Sequence, residues 1–390
     1  MTTPDETRAA FFSEPAGEWQ AIGHRMARRY LQRSQQSGRI AHAYLITGPD
    51  QVGKATLALD LARLVNCTPT GDMFESDVAS PCGKCGPCDR ISKGTHADVT
   101  VINPHTPIGT STPSQDSTRT LIGIDHVREM QKVVSLKSFE GGVRVVIFDG
   151  ADRMNDPGWN ALLKTLEEPP EDVIIVLLAP AADSLPTTVI SRCQPIELHT
   201  VTTDEITREL VKRGGMGSED AGHLARIAAG RPGRAFAALT DETTLDRYRQ
   251  GVLRVLTTSA GDIEVRFRYA NEIAREFGRN RVTVLRELEL WTSVWRDMML
   301  LKHGITDSVV NIEWTAQLSE AASHAGSNDA QLAIEAIAKA TDGLRRNGMP
   351  RVVLEVLLLE LPSIPSRIIE KMNLGQRDDA SNIDSDGWAS

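Results

Sequence analysis

Residues 43–65 restrict the chain to a small set of folds. Ala43-Tyr44-Leu45-Ile46-Thr47 is a short apolar strand that runs straight into Gly48-Pro49-Asp50-Gln51-Val52-Gly53-Lys54-Ala55. Leu57, Leu59, Leu61, Ala62, Leu64 and Val65 then fill a mostly apolar helix. A glycine loop between strand and helix offers a phosphate group backbone N–H donors and the positive end of a helix dipole, and Lys54 adds a cation. The last loop position breaks the pattern. A hydroxyl there ligates the magnesium ion that bridges the β- and γ-phosphates, and Ala55 has none. Thr56 follows, but one step along a helix turns a side chain about 100° away. Gly48, Gly53, Lys54, Ala55 and Thr56 therefore outline a degenerate nucleotide site that holds ATP or ADP weakly, or without hydrolysis.

A second defect lies downstream. Val145-Val146-Ile147-Phe148 is a β-branched run ending in Asp149, a carboxylate placed to hold magnesium. The next position, where active ring ATPases carry a glutamate to activate water, is Gly150, and Asp152 is displaced by two residues. Phosphoryl transfer rests on positioning and on charge neutralisation by metal. With both groups missing, the chain is not expected to hydrolyse ATP by itself.

Strands at Val99–Ile102, Val143–Phe148, Val173–Leu178 and Ile196–Leu198 alternate with helical stretches at Ile124–Leu136 and Trp159–Leu166. That alternation predicts an α/β fold, a parallel sheet with helices on both faces. From Thr202 the pattern becomes helical only. Residues 201–243 read as a small helical lid closing at Gly230-Arg231-Pro232-Gly233, and 244–374 as an all-α domain. In its helix Thr283–Leu301, the stripe Leu285, Leu288, Trp291, Val294, Trp295 and Met298 reads as core or subunit interface rather than a cofactor box. Residues 1–17 read as a flexible leader and 375–390 as a disordered acidic tail. Pro104–Thr120, rich in Pro, Thr and Ser, reads as a surface loop.

With 390 residues, the chain is too long for one core. The net charge of −9 argues against a free-standing nucleic-acid binder, which needs a basic footprint. Arg25, Arg28, Arg29 and Arg33 read as a solvated helix face rather than a DNA grip. No stretch reaches the roughly 20 apolar residues that span a bilayer, and the start lacks the flanks of a secretory signal. A reducing cytoplasm is the expected setting for the five cysteines.

Cys82-Gly83-Lys84-Cys85-Gly86-Pro87-Cys88 sets three thiols at C-x-x-C-x-x-C spacing, and Cys67 can complete a four-thiolate tetrahedron. Zinc takes such a set in closed structural sites that leave no position for reactive water. A redox thiol pair, and His96 in place of Cys67, remain the alternatives.

Asn160-Ala161-Leu162-Leu163-Lys164-Thr165-Leu166-Glu167-Glu168-Pro169-Pro170 and Ser191-Arg192-Cys193 join the phosphate loop and the cysteine insertion at 67–88 in one further respect. Together they resemble the clamp-loader subunits of bacterial DNA polymerase III, members of the AAA+ group. The resemblance is strong over 18–200, weak in the lid and faint beyond. The degenerate loop and the missing glutamate look like the delta-prime branch rather than the gamma/tau ATPase.

The resemblance implies an AAA+ module, a lid and a C-terminal helical collar. It also implies a place in a pentameric ring with gamma/tau and delta subunits, acting with the sliding clamp and primed DNA. Arg192 would then be an arginine finger reaching a neighbour's γ-phosphate, and Arg231 and Arg234 would lie near the second-sensor region, with neither singled out. The competing reading of Arg192 is a helix-end arginine bound to local carbonyls. For the whole chain, the competitors are a gamma/tau-type ATPase with its own turnover and a stand-alone zinc-stabilised nucleic-acid-binding module.

Overall fold

The computed structural model describes residues 18–68, 80–106, 121–140, 142–240, 243–326, 328–346 and 348–368. The leader, the acidic tail, residues 69–79 of the cysteine insertion and residues 107–120 of the Pro/Thr-rich loop lie outside the described residues. The chain divides into two compact units, Met1–Phe236 and Ala237–Ser390.

The first unit is built on one five-stranded sheet: β1 (Ala43–Thr47), β2 (Val99–Ile102), β3 (Arg144–Asp149), β4 (Val173–Ala179) and β5 (Gln194–Glu197). The strand order is β2-β3-β4-β1-β5 and every pairing is parallel. All residues of β1 and β4 are buried, as expected of parallel strands covered on both faces. Side chains alternate along a strand, and the core divides accordingly. Leu45, Phe148, Ile175 and Leu177 pack with α4 (Ile124–Val134) and α5 (Asp156–Glu167) through Val127, Met130, Trp159 and Leu162. Tyr44, Ile46, Ile147, Val176 and Leu178 turn the other way. They pack with Leu31 of α1 (Arg25–Gln36) and with Leu57 and Leu61 of α2 (Lys54–Asn66).

The remaining helices of this unit are α3 (Gly86–Ser92), the short α6 (Thr187–Ile190), α7 (Thr203–Gly214) and α8 (Ser218–Ile227). Thr202 caps α7 by accepting the Glu205 N–H. The unit boundary falls inside α9 (Pro232–Thr240).

A buried ion pair fixes the turn between α4 and β3. The Asp98 carboxylate, fully buried, accepts the backbone N–H groups of Phe139 and Glu140 at 2.9 Å each and Arg144 Nη2 at 2.8 Å. Arg144 also donates to the carbonyls of Val133, Leu136 and Lys137. Burial pushes the Asp98 carboxyl up, but the Glu140 and Phe139 N–H groups and Arg144 outweigh it and hold it below its ordinary value. Because the folded value lies below the unfolded one, the stabilisation is complete above about pH 4 and is lost as pH falls through the folded value. Asp98→Asn, which leaves Arg144 buried without its counter-charge, should cost about 3–5 kcal/mol at pH 7. In denaturant titrations from pH 7 to pH 3, the difference between wild type and variant should shrink with acidification.

Among its described residues the second unit contains no strand. Its helices are α10 (Thr243–Ala260), α11 (Ile263–Arg279), α12 (Arg281–Lys302), α13 (Thr315–His324), α14 (Asp329–Arg345) and α15 (Pro350–Glu360). Asp262 and Asn280 cap α11 and α12 by accepting the N–H groups of Val265 and Thr283. Trp291, Val294, Trp295 and Met298 of α12 lie in the core, so the aromatic stripe is packing. Tyr269 tilts against Trp291 with ring centroids 5.7 Å apart and accepts its indole N–H at 3.1 Å. No helix among the described residues is long and apolar enough to cross a membrane.

Candidate nucleotide, metal and arginine sites

The glycine loop occupies the turn from β1 to α2, as the sequence requires. Gly48 has φ +144°, and a Cβ there would lie 2.3 Å from the Leu198 carbonyl oxygen, so only glycine fits. Gln51, at φ +61°, also takes the left-handed region. Two neighbours fasten the loop. The Gly233 N–H at the start of α9 donates to the Gln51 carbonyl at 2.9 Å, and His24 Nε2 donates to the Val52 carbonyl at 2.9 Å. Lys54 folds back on its own loop, with Nζ 2.6 Å from Gly48 O, 2.9 Å from Pro49 O and 3.7 Å from Asp50 Oδ1. Burial pushes its pKa down, against the carboxylates of Asp50, Asp149 and Asp152.

The cleft over this loop measures about 400 Å³ and is lined by Lys54, Ala55, Thr56 and Asp149 together with Gln20, Ile22, Arg213, Pro232, Gly233 and Phe236. Two larger clefts border it, one of about 470 Å³ that takes in Gly48 and Pro49 and one of about 670 Å³ that shares Gln20, Ile22 and Arg213, and neither includes Lys54. The loop chemistry, rather than size, marks the smaller cleft as the candidate site. Arg231 and Arg234 do not line it, and Arg213 from α7 does.

Arg213 donates to the carbonyls of Trp19 and Gln20 at 3.1 Å. Asp60 of α2 accepts the N–H groups of Gln20 (3.0 Å) and Ala21 (2.8 Å). The segment that walls the cleft is thus pinned from both sides. These contacts join residues 39 to 194 positions apart, and no local motif announces them.

Gly150 follows Asp149 with φ +85°, and a Cβ there would meet Arg153 Cδ at an ordinary 3.6 Å. Space is available for a side chain, but the backbone is left-handed, which costs an L-residue about 1–2 kcal/mol. Ala55→Ser, restoring the hydroxyl alone, should give no multiple-turnover phosphate release from the isolated chain. Gly150→Glu should lower stability by about that 1–2 kcal/mol.

The sulfur atoms of Cys67, Cys82, Cys85 and Cys88 all lie within 4.8 Å of one another, a donor set that can hold one metal ion. Cys67 ends α2, Cys85 caps α3 and Cys88 lies within α3, so the cluster ties these two helices. The backbone N–H of Cys82 points at Cys67 Sγ (3.4 Å) and that of Cys85 at Cys82 Sγ (3.3 Å), as donors to metal-bound thiolates do. The Cys88 thiol is drawn down to about 5, chiefly by hydrogen bonding from Cys67, whose own ionisation is pushed up. His96 faces elsewhere. Its Nε2 meets Glu140 at 3.3 Å and its Nδ1 accepts the Asp98 N–H at 3.2 Å, so Cys67 makes the fourth sulfur.

A family description, "DNA polymerase III, delta subunit", matches residues 23–202. The DNA polymerase III subunit delta' of Bacillus subtilis is 24% identical over 335 residues, 85% of this chain and 94% of that protein. Over these residues the chain is similar to the clamp-loader subunits of bacterial DNA polymerase III. The subunit tau of B. subtilis is 30% identical over 191 residues, 49% of this chain and 30% of that protein. The subunit delta' of Pseudomonas aeruginosa is 35% identical over 162 residues, 41% of this chain and 44% of that protein. The chain spans less than half the length of the first tau and gamma relatives. Tau, gamma and delta' proteins all match, which leaves the member undecided.

Arg192 lies after α6, outside the phosphate cleft, and is partly exposed. Its Nη1 donates to the Thr188 carbonyl at 2.7 Å, and its Nη2 donates to Glu167 Oε1, also at 2.7 Å. Both the local carbonyl contact and an accessible guanidinium are therefore present. Its neighbour Cys193 is buried, which pushes the thiol up to about 11 and makes it a core residue rather than a nucleophile.

Proposed function

We propose that this chain is a delta-prime-type subunit that supports ATP-driven loading of a sliding clamp onto primed DNA without burning ATP itself. The observation that carries the reading is Ala55 in a cleft otherwise built for phosphates, together with Gly150 next in sequence to the cleft residue Asp149. Loop N–H groups and Lys54 can still cradle ATP or ADP. The missing hydroxyl and carboxylate remove the means to hold magnesium in place and to activate water. Near end-to-end coverage of a delta' relative, against 30% of a tau relative, supports the same choice.

Arg192 acts in trans in this reading. A guanidinium stays protonated and its planar fork matches phosphate oxygens, so a partly exposed arginine can stabilise charge on a neighbour's γ-phosphate. Cys67, Cys82, Cys85 and Cys88 would hold a structural zinc ion, whose role is to cross-link α2 and α3. Residues 18–200 form the AAA+ module, 201–243 the lid and 244–374 the collar that joins gamma/tau and delta partners in a cytoplasmic pentameric ring. Arg231 and Arg234 remain second-sensor candidates only in their sequence position; Arg213 lines the cleft, with its guanidinium committed to the Trp19 and Gln20 carbonyls.

Reconstitution tests this. The purified chain alone should release no phosphate over multiple turnovers, and adding it to gamma/tau and delta should yield a ring whose ATPase rises with clamp and primed DNA. Robust turnover by the isolated chain would make it a gamma/tau-type motor. Tight DNA binding by the isolated chain would make it a nucleic-acid-binding module.

A further inference from the structure

Glu167 is poorly placed for the helix it closes. It is the last residue of α5, with Glu168 at the C-cap, where the unsatisfied carbonyls make an anion unfavourable. Arg192 follows α6, where a cation is favourable, and its Nη1 donates to the Thr188 carbonyl, which also accepts Ser191 Oγ. The Glu167 carboxylate, in unfavourable ground, reaches Arg192 Nη2 at 2.7 Å, and both side chains keep roughly a third to half of their surface in solvent, 35% and 51%.

We propose that Glu167 gates Arg192. Its carboxylate parks the guanidinium against α6 in the free subunit and yields it when a neighbour's triphosphate competes for the same N–H donors. The inference rests on the reading of Arg192 as a finger. A parked finger is available only for the fraction of time it is unpaired, and apparent activity falls by that fraction. An exposed ion pair sustains a ratio of about two- to fivefold, so a doubly charged phosphate displaces the carboxylate without difficulty. Glu167 is thus a positioning residue that acts only through Arg192.

The test uses the reconstituted ring carrying Glu167→Gln, with Glu168→Gln and Arg192→Ala as companions. Glu167→Gln should raise ATPase in the absence of DNA about two- to fivefold and leave the rate with saturating clamp and primed DNA unchanged, since the finger is then engaged. In the isolated chain the Arg192 Nε–Hε resonance should shift in Glu167→Gln and stay put in Glu168→Gln, and Tm should not fall. A DNA-free rate at or below wild type, an unmoved resonance, or a lower Tm with unchanged rates overturns the gate. If Arg192→Ala lowers the stimulated rate and Glu167→Gln is silent, the gate alone fails. If Arg192→Ala is itself silent, the finger fails and takes the gate with it.

Discussion

Replacing Arg192 by alanine should lower ATP turnover at the neighbouring site it serves by on the order of 10³-fold or more, the range for arginine fingers that supply charge to a phosphoryl-transfer transition state. The ring's summed rate should fall by the share of that one site, so single-site turnover is the sharper measurement. Folding should be unaffected, because the side chain is partly exposed and its partners are one carbonyl, one hydroxyl and one exposed carboxylate. Arg192→Lys should recover little, since it keeps the charge and loses the fork. An unchanged rate in the alanine variant would reduce Arg192 to a helix-end ligand of the Thr188 carbonyl.

Removing the zinc ion proposed at the four cysteines should have the next largest effect. Structural zinc sites supply much of the folding energy of the elements they join. Here the sulfurs join the end of the helix that starts at the phosphate loop to α3. Chelation, or Cys88→Ser, should cost the first unit about 3 kcal/mol, a fall in Tm of roughly 10 °C for a domain of this size. The same treatment should turn four protected thiols into freely titratable ones, and metal analysis of the untreated chain should return one zinc per chain. Free reactivity of all four thiols together with no bound zinc would leave the cluster as a packing feature.

Much of the scaffold was legible because its signals are local. The step from a β-branched strand through glycines to an apolar helix occupies 23 consecutive residues, 43–65, and C-x-x-C-x-x-C fits into seven. The Trp291 and Trp295 stripe has a helical period and proved to be core. The strand order escaped, since parallel pairing is decided by which crossovers pack best rather than by any strand's own residues. Arg213 and Asp60 escaped for a related reason. Each acts on backbone groups of residues 19–21, far away in sequence, and a lone arginine at a helix end looks solvated until the fold places a wall beside it. The choice between His96 and Cys67 also needed coordinates, because Glu140 and Asp98 claim the imidazole.

Gly150 has a consequence for the history open to this subunit. A single nucleotide exchange can put a carboxylate at a glycine codon, and a Cβ there would meet only ordinary contacts with Arg153, but the main chain at that position is wound in the sense that side chains resist. In the non-hydrolysing reading proposed above, an active centre would need a carboxylate held against about 1–2 kcal/mol of backbone strain and a hydroxyl at position 55 together. Either exchange by itself would leave the other group missing, so the two would have to arrive as a pair.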